Sequence, residues 1–512
     1  MNRLDPSRWF ASSYAIPGLL AGAGFLLHLL FLNRYGIFRD ELYYLACGEH
    51  MDWGYVDQPP FVALVAAFSR TMLGDSLYAI RLIPALAGAG VVFLAGLVAK
   101  LLGGGRFAQA LAALAVILAP VNLFLHHILS MNVFDHLFWA LAAWLVIRII
   151  QTEQPRYWIF LGLVMGLGLQ NKISMLFFGF GLTAGLLLTR HRRWLKTPWP
   201  WIAAGIAGLI FLPHILWQIH YGWPTLEFMR NARLHKMTPM SPLQFLGVAI
   251  TEMHPLGFLI LALGIGHFLW HRQNHRYRVM GWLFLAVFGL LIVQQGKPYY
   301  LSPTYPFMFA GGAVALEGFI RKGWLRAAVL VIILIGGLLT TPLTLPVLSP
   351  EQFIRYAQAL GLSHESGERH EMGPLPQHYA DQFGWEEMVE KIAQAYHSLP
   401  PEDQVKCAIY VENYGEAGAI DFLGRKHGLP KAICAHNSYY LWGPRGYTGE
   451  IIIELNDDED FEDLQRHYDQ VERRGQVYHP YAMPYENNLS VYLCRGLKRP
   501  LAKIWPMLKH YI

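Results

Sequence analysis

The sequence predicts a polytopic α-helical membrane protein, with about eleven transmembrane helices over residues 1–345 and a soluble α/β domain over 346–512. Three observations carry this reading. The 512 residues are 54% hydrophobic and 15% charged, with a mean hydropathy of +0.28, whereas soluble domains carry about 25% charged residues. Apolar stretches close to the ~20 residues that cross a ~30 Å hydrocarbon core recur up to residue 345. The charge also changes character along the chain. Of 36 acidic residues 24 lie at or after Glu351, so the first 350 residues carry a net +13 and the last 162 a net −8. The apolar content excludes a disordered chain. The length exceeds the ~250–300 residues at which one core stops growing. The small overall charge of +5 leaves no footprint for a nucleic-acid partner.

The expected spans run roughly 14–33, 77–99, 107–125, 132–150, 157–170, 173–189, 198–219, 256–270, 279–295, 300–319 and 325–345. The first lacks a small-residue cleavage site before Asn33 and reads as a retained span rather than a signal peptide. The fifth and sixth meet at Gln170-Asn171-Lys172. Lys and Arg concentrate on the cytoplasmic side of membrane proteins. With the N-terminus in the cytoplasm, 16 such residues fall inside, among them Arg190, Arg192, Arg193 and Lys196, and 8 fall outside. An odd span count then puts the C-terminal domain outside, in the periplasm of a cell with two membranes.

That domain alternates β-rich runs at 405–411, 450–455 and 489–493 with helical patterns near 385–397, 414–427 and 458–470. Its Cys407, Cys434 and Cys494, with Cys47 in the first outer loop, lack CxxC or zinc-finger spacing and read as buried thiols. Gly103-Gly104-Gly105 has no following Lys-Ser/Thr and reads as a cytoplasmic turn rather than a phosphate loop.

Acidic residues are scarce before residue 351, and they cluster. Asp40, Glu41, Glu49, Asp52, Asp57 and Asp75 are six of the twelve there, all in the outer loop 34–75. One reading is a solvated loop. The other takes Tyr43-Tyr44, Ala46 and Phe61-Val62-Ala63-Leu64-Val65 as faces of interfacial helices, which place the carboxylates where lipid headgroup chemistry happens. Asp135 lies inside the fourth span, either a functional carboxylate or a helix-packing hydrogen-bond partner. Lys172, Lys297, His126-His127 and His254 fall on the same outer side by this topology; a lone histidine at a helix end is more often structural.

Several of these residues occur in ordered motifs. They are Phe38-Arg39-Asp40-Glu41-Leu42-Tyr43-Tyr44, Asp57-Gln58-Pro59-Pro60, Asp135, Gly168-Leu169-Gln170-Asn171-Lys172, and Lys297-Pro298-Tyr299-Tyr300-Leu301 with Tyr305-Pro306. The set resembles the GT-C superfamily of polyprenyl-phosphate-sugar glycosyltransferases. Within it the likeness is to the protein-mannosyltransferase-like branch that includes the aminoarabinose and Rgt-type galacturonic acid transferases. The resemblance covers most of the membrane part and implies a GT-C fold. It makes Asp40 the catalytic residue, with Glu41 and Asp135 beside it as acidic members of the site. Arg39, Lys172, Lys297, Tyr299 and Tyr300 become the group that binds the donor phosphate, with Asp135 orienting Arg39 or Lys172 or sharing a metal. A divalent metal ion on Asp57 and His254 is implied as an option. The aminoarabinose branch has an acid-lysine-proline element where this chain reads Asp57-Gln58-Pro59. The tail motifs Asn413-Tyr414-Gly415-Glu416-Ala417-Gly418-Ala419 and Ser438-Tyr439-Tyr440-Leu441-Trp442-Gly443-Pro444 are similar to those of bacterial members.

The function expected is an inverting glycosyltransferase. It would move a sugar from a polyprenyl-phosphate donor to lipid A or core, another glycan or a protein, on the outer side of a bacterial inner membrane. The alternative is a transporter or flippase of a lipid-linked sugar, whose site would lie near the bilayer midplane on broken helices.

Overall fold

A computed structural model describes residues 14–362, 369–457 and 461–512, with backbone alone at 272–274. Contacts divide the chain into two compact units. One takes in residues up to Asn33, Leu73–Ile215 and Pro239–Val347; the other is Arg34–Met72, Leu216–Thr238 and Leu348–Ile512.

The first unit is helical. Helices stand at each expected stretch: Ala15–Leu29, Leu77–Leu101, Arg106–Ile117 with Pro120–Leu125, Met131–Thr152, Arg156–Asn171, Met175–Leu187, Trp199–His220, Pro255–Leu269, Arg278–Gln294, Tyr305–Phe319 and Gly323–Thr340. By length and composition, five helices among the described residues are fit to cross a membrane, or six if one bent pair counts as a single span. About eleven crossings therefore go beyond what helix length alone supports. Two expected spans are corrected. The 107–125 stretch breaks after Ile117 because Pro120, lacking an N–H, starts a new helix at its first position. Asn122 Nδ2 then donates to the Val116 carbonyl at 2.9 Å. The 300–319 stretch becomes α-helix only at Tyr305, since Pro298 and Pro303 leave Pro298–Thr304 as a 3₁₀ segment.

One helix, Pro242–Met253, was not expected as part of a span. It meets Pro255–Leu269 at 108°, through His254 at φ 73°. A proline disfavours α geometry in the residue before it, so His254-Pro255 is where this pair turns. Elsewhere glycine sets the spacing. Gly264 and Gly312 lie against the backbone carbonyls of Met308 and Ile260 respectively, so helices Pro255–Leu269 and Tyr305–Phe319 cross with no side chain between them.

The second unit carries a five-stranded mixed sheet: β1 Cys407–Val411, β2 Ile433–Cys434, β3 Ile451–Asn456, β4 Tyr468–Gln476 and β5 Ser490–Leu497. The spatial order is β2-β1-β3-β5-β4. β1 runs parallel to β2 and β3, and β5 runs antiparallel to β3 and β4. Ala408, Ile433, Ile452, Tyr492 and Cys494 build one core with Leu464, Leu501 and Trp505. Helices Trp385–His397 and Tyr414–Leu423 pack on the sheet. The expected helix near 458–470 is Phe461–His467 and gives way to β4, with 458–460 outside the described residues. β2 was not expected either, being two residues long. All four cysteines are buried free thiols.

Candidate active site

In the second unit the 34–75 segment folds into the helices Arg39–Glu49 and Phe61–Leu73. Glu41 starts the first of them: its Oε2 accepts from the Phe38 N–H at 2.9 Å, and its own N–H returns to the Phe38 carbonyl at 2.9 Å. This reciprocal capping satisfies groups a helix start leaves open, and Glu41 is fully buried. Asp40, one residue earlier, is only partly buried. Its charge suits the positive end of the helix dipole. The Tyr414 hydroxyl donates to Asp40 Oδ1 at 2.9 Å, and among the described residues no donor reaches Oδ2.

A second carboxylate is held the same way. Tyr43 donates to Asp57 Oδ1 at 2.8 Å and lies 2.7 Å from Ser438 Oγ. Burial, with the neighbouring Asp40 charge adding to it, pushes the Asp57 carboxyl up to about 6 against the Tyr43 hydrogen bond. Two aspartates of the 34–75 segment are thus each tied to a tyrosine hydroxyl.

Arg39 is packed against aromatic rings. Its guanidinium stacks over Tyr414 at 4.9 Å and Tyr485 at 5.3 Å. It donates to the Tyr485 hydroxyl at 3.1 Å and lies 3.9 Å from Glu486. Tyr485 in turn donates to Asp381 Oδ1 at 3.0 Å. Burial raises the Glu416 and Glu486 carboxyls, and the nearby Glu486 charge adds to the rise at Glu416. Sequence reasoning missed Asp381, Glu416, Tyr485 and Glu486 as members of this network. The available signal was Asn413-x-x-Glu416, the spacing of a helix capping box.

The first unit holds the other expected residues. Lys172 caps Arg156–Asn171 in extended conformation. Its Nζ donates to Asn132 Oδ1 at 2.6 Å and sits over the rings of Tyr300 at 4.6 Å and Tyr299 at 5.6 Å. Asp135, buried one turn into Met131–Thr152, accepts from Ser174 Oγ at 2.7 Å and feels the Lys172 charge. Among the described residues no hydrogen-bond donor meets its buried Oδ1. Gln170 and Asn171 tie the same break to the carbonyls of Ile210 and Met131. A histidine chain supports the Tyr299–Tyr300 segment. His126 Nε2 meets His136 Nδ1 at 3.0 Å, His136 Nε2 meets Ser302 Oγ at 2.7 Å, and Ser302 Oγ donates to the Tyr299 carbonyl at 2.6 Å. Lys297 opens the 3₁₀ segment and shares a field with Glu252.

Of the pair suggested for a divalent ion, Asp57 is engaged by Tyr43, and His254 Nδ1 accepts from the Leu256 N–H at 3.1 Å. They belong to different units. Among the described residues no group of three or more His, Cys, Asp or Glu side chains gathers as a metal site. The residues present do not fit a bound metal, and no step below runs through one.

A family model described as dolichyl-phosphate-mannose-protein mannosyltransferase matches residues 57–217. The lipid A galacturonosyltransferase RgtD of Rhizobium johnstonii is 23% identical over 284 residues, which are 54% of this chain and 60% of that protein. The structure of ArnT from Cupriavidus metallidurans bound to undecaprenyl phosphate superposes with a TM-score of 0.64 at 14% identity, over 93% of this chain and 97% of that one. The chain thus shares the fold of a GT-C glycosyltransferase. Apo ArnT gives a TM-score of 0.62 over the same shares, so the GT-C likeness takes in the C-terminal sheet as well as the helices.

Proposed function

We propose that this chain is an inverting glycosyltransferase that moves a sugar from a polyprenyl phosphate to an acceptor hydroxyl outside a bacterial inner membrane. Asp40 carries the reading, because one carboxylate oxygen is fixed by Tyr414 and the other is left to accept a proton. The acceptor O–H gives its proton to Asp40 Oδ2 while the acceptor oxygen attacks the anomeric carbon. The bond from that carbon to the phosphate oxygen breaks, and its electron pair leaves with the polyprenyl phosphate. A lipid phosphate departs without a proton, so it needs positive charge rather than an acid. Lys172 supplies that charge, with the Tyr299 and Tyr300 rings facing its ammonium group, Asp135 setting its field and Lys297 as a second cation. Glu41 organises the helix start that presents Asp40. Arg39, enclosed by Tyr414 and Tyr485, acts through them rather than on the phosphate.

The acceptor is a membrane lipid such as lipid A or its core, another glycan, or a protein. The names of RgtD and ArnT support a lipid acceptor and a polyprenyl-phosphate donor. In this reading all eleven helical stretches cross the bilayer, the N-terminus is cytoplasmic and the C-terminal sheet periplasmic. A lipid-linked-sugar transporter is the second reading, favoured by the 108° break at His254, which is the kind of discontinuous helix transporters use.

The test gives the purified protein radiolabelled undecaprenyl-phosphate sugars and a membrane extract. Asp40→Asn is expected to lose transfer by about 10²–10⁴-fold, the usual worth of a general base, with folding kept. Lys172→Met is expected to lose affinity for undecaprenyl phosphate. Transfer at wild-type rate by Asp40→Asn would remove Asp40 as base, and no transfer by the wild type with lipid translocation intact would favour the transporter.

A further inference from the structure

We infer that Tyr414, from the C-terminal domain, is a positioning residue for the transfer reaction, acting through Asp40. The inference rests on Asp40 as the general base.

Four observations converge on this side chain. Its hydroxyl donates to Asp40 Oδ1 at 2.9 Å. A hydrogen bond to one oxygen of a carboxylate fixes the plane of the group and so aims the other oxygen; a general base must hold such geometry to work. The Tyr414 ring is itself held on several sides, with Arg39 stacked at 4.9 Å, Tyr43 at 4.7 Å and His436 at 4.9 Å between ring centroids. It is buried at 8% exposure, so the ring cannot swing away. Finally, its backbone is pinned. Asn413 caps the helix Tyr414–Leu423 by accepting from Gly415 and Glu416 N–H at 2.9 and 3.2 Å. Glu416 Oε2 returns to the N–H groups of Glu412 and Asn413 at 2.9 and 3.2 Å. The helix starts just past the carboxyl end of β1. A ring fixed only for packing would not need its hydroxyl on an anionic carboxylate at the mouth of an outer-loop helix.

Tyr414→Phe tests this in the full chain, because it keeps the ring and removes the donor. The assay is label transfer from radiolabelled undecaprenyl-phosphate sugars, with inhibition by undecaprenyl phosphate reporting donor affinity and thermal unfolding reporting the fold. The expected result is a roughly tenfold fall in the maximal transfer rate. Inhibition by undecaprenyl phosphate should stay within about twofold and Tm within a few degrees. Transfer at the wild-type rate overturns the inference. So does a loss that appears equally in rate, inhibition and Tm, which is what a merely structural tyrosine gives. Asp40→Asn in parallel separates the two ideas: full transfer by that variant removes the base, whereas an inactive Asp40→Asn beside a fully active Tyr414→Phe removes only the role of Tyr414.

Discussion

Asp381 lies behind the site, held by Tyr485 and near Arg39, and burial pushes its carboxyl up to about 7 against the pull of the guanidinium. An unfolded aspartate titrates near ~3.9. Between those values the folded chain keeps a proton that the unfolded chain releases, so stability falls as pH rises from about 4 to about 7 and then levels off. Asp57, at about 6, adds to the same slope. Asp381→Asn should therefore show a smaller drop in Tm between about pH 5 and pH 8 than the wild type, measured by thermal unfolding in detergent. Identical slopes would mean that Asp381 titrates alike in both states. At this scale the sequence was informative where residue types were rare. Asp40 stood out because only twelve acids precede residue 351. Asp381 and Glu486 sit among the 24 acids that follow, where nothing in composition separates a buried carboxyl from a solvated one. Glu41 and Arg39 were legible as members of a motif. Their partners, the Phe38 backbone and the Tyr414 and Tyr485 rings, come from contacts that no local pattern encodes.

The helix Arg39–Glu49 meets Tyr414–Leu423 through a face of glycine. A side chain at Gly418 would put its first carbon 2.8 Å from the Leu42 backbone, and one at Gly415 would meet Arg39 Cγ at 2.7 Å. Their i, i+3 spacing puts both on one face of the helix. Gly418→Val should cost about 1–3 kcal/mol of stability, as overpacking does, at roughly 2–4 °C of Tm per kcal/mol. It should also slow transfer by moving Tyr414 off Asp40. An unchanged Tm and rate would show that the helices part freely. Pattern reading succeeded for the buried apolar runs β1, β3 and β5 and for Trp385–His397, a helix with one buried face. It failed for β4, whose first residues, Tyr468 to Gln470, fell at the end of the helical pattern near 458–470 and whose remainder was not read as a strand. An edge strand with most side chains in water carries no apolar alternation, and polar, charged edges guard against pairing with another chain. His254-Pro255 was readable as the start of a span, but the helix before it and the 108° turn were not, because proline marks a helix boundary and packing decides where the chain goes next.

Across the whole molecule, lysine and arginine placement implies an orientation that a reporter can check. A phosphatase fused after Ile512 should be active, as an enzyme that works only outside the cytoplasm, and a fluorescent protein needing the cytoplasm should stay dark there. The reverse pair of signals would invert the tail and take Asp40 off the outer side. The two compact units show what a linear boundary leaves out. Residues 34–72 precede most of the helical unit in sequence but belong with Leu348–Ile512. The sequence by itself determined that apolar helices alternate with basic loops, that a charged α/β segment follows, and that Asp40 is the acid to examine, since burial demand and charge bias act residue by residue. Only the tertiary structure decided that Tyr414 holds Asp40, that Arg39 is enclosed by rings, and that Glu416 and Glu486 are buried near one another. Those facts depend on bringing together groups more than three hundred residues apart, or burying two acids in one place, and no spacing along the chain records them.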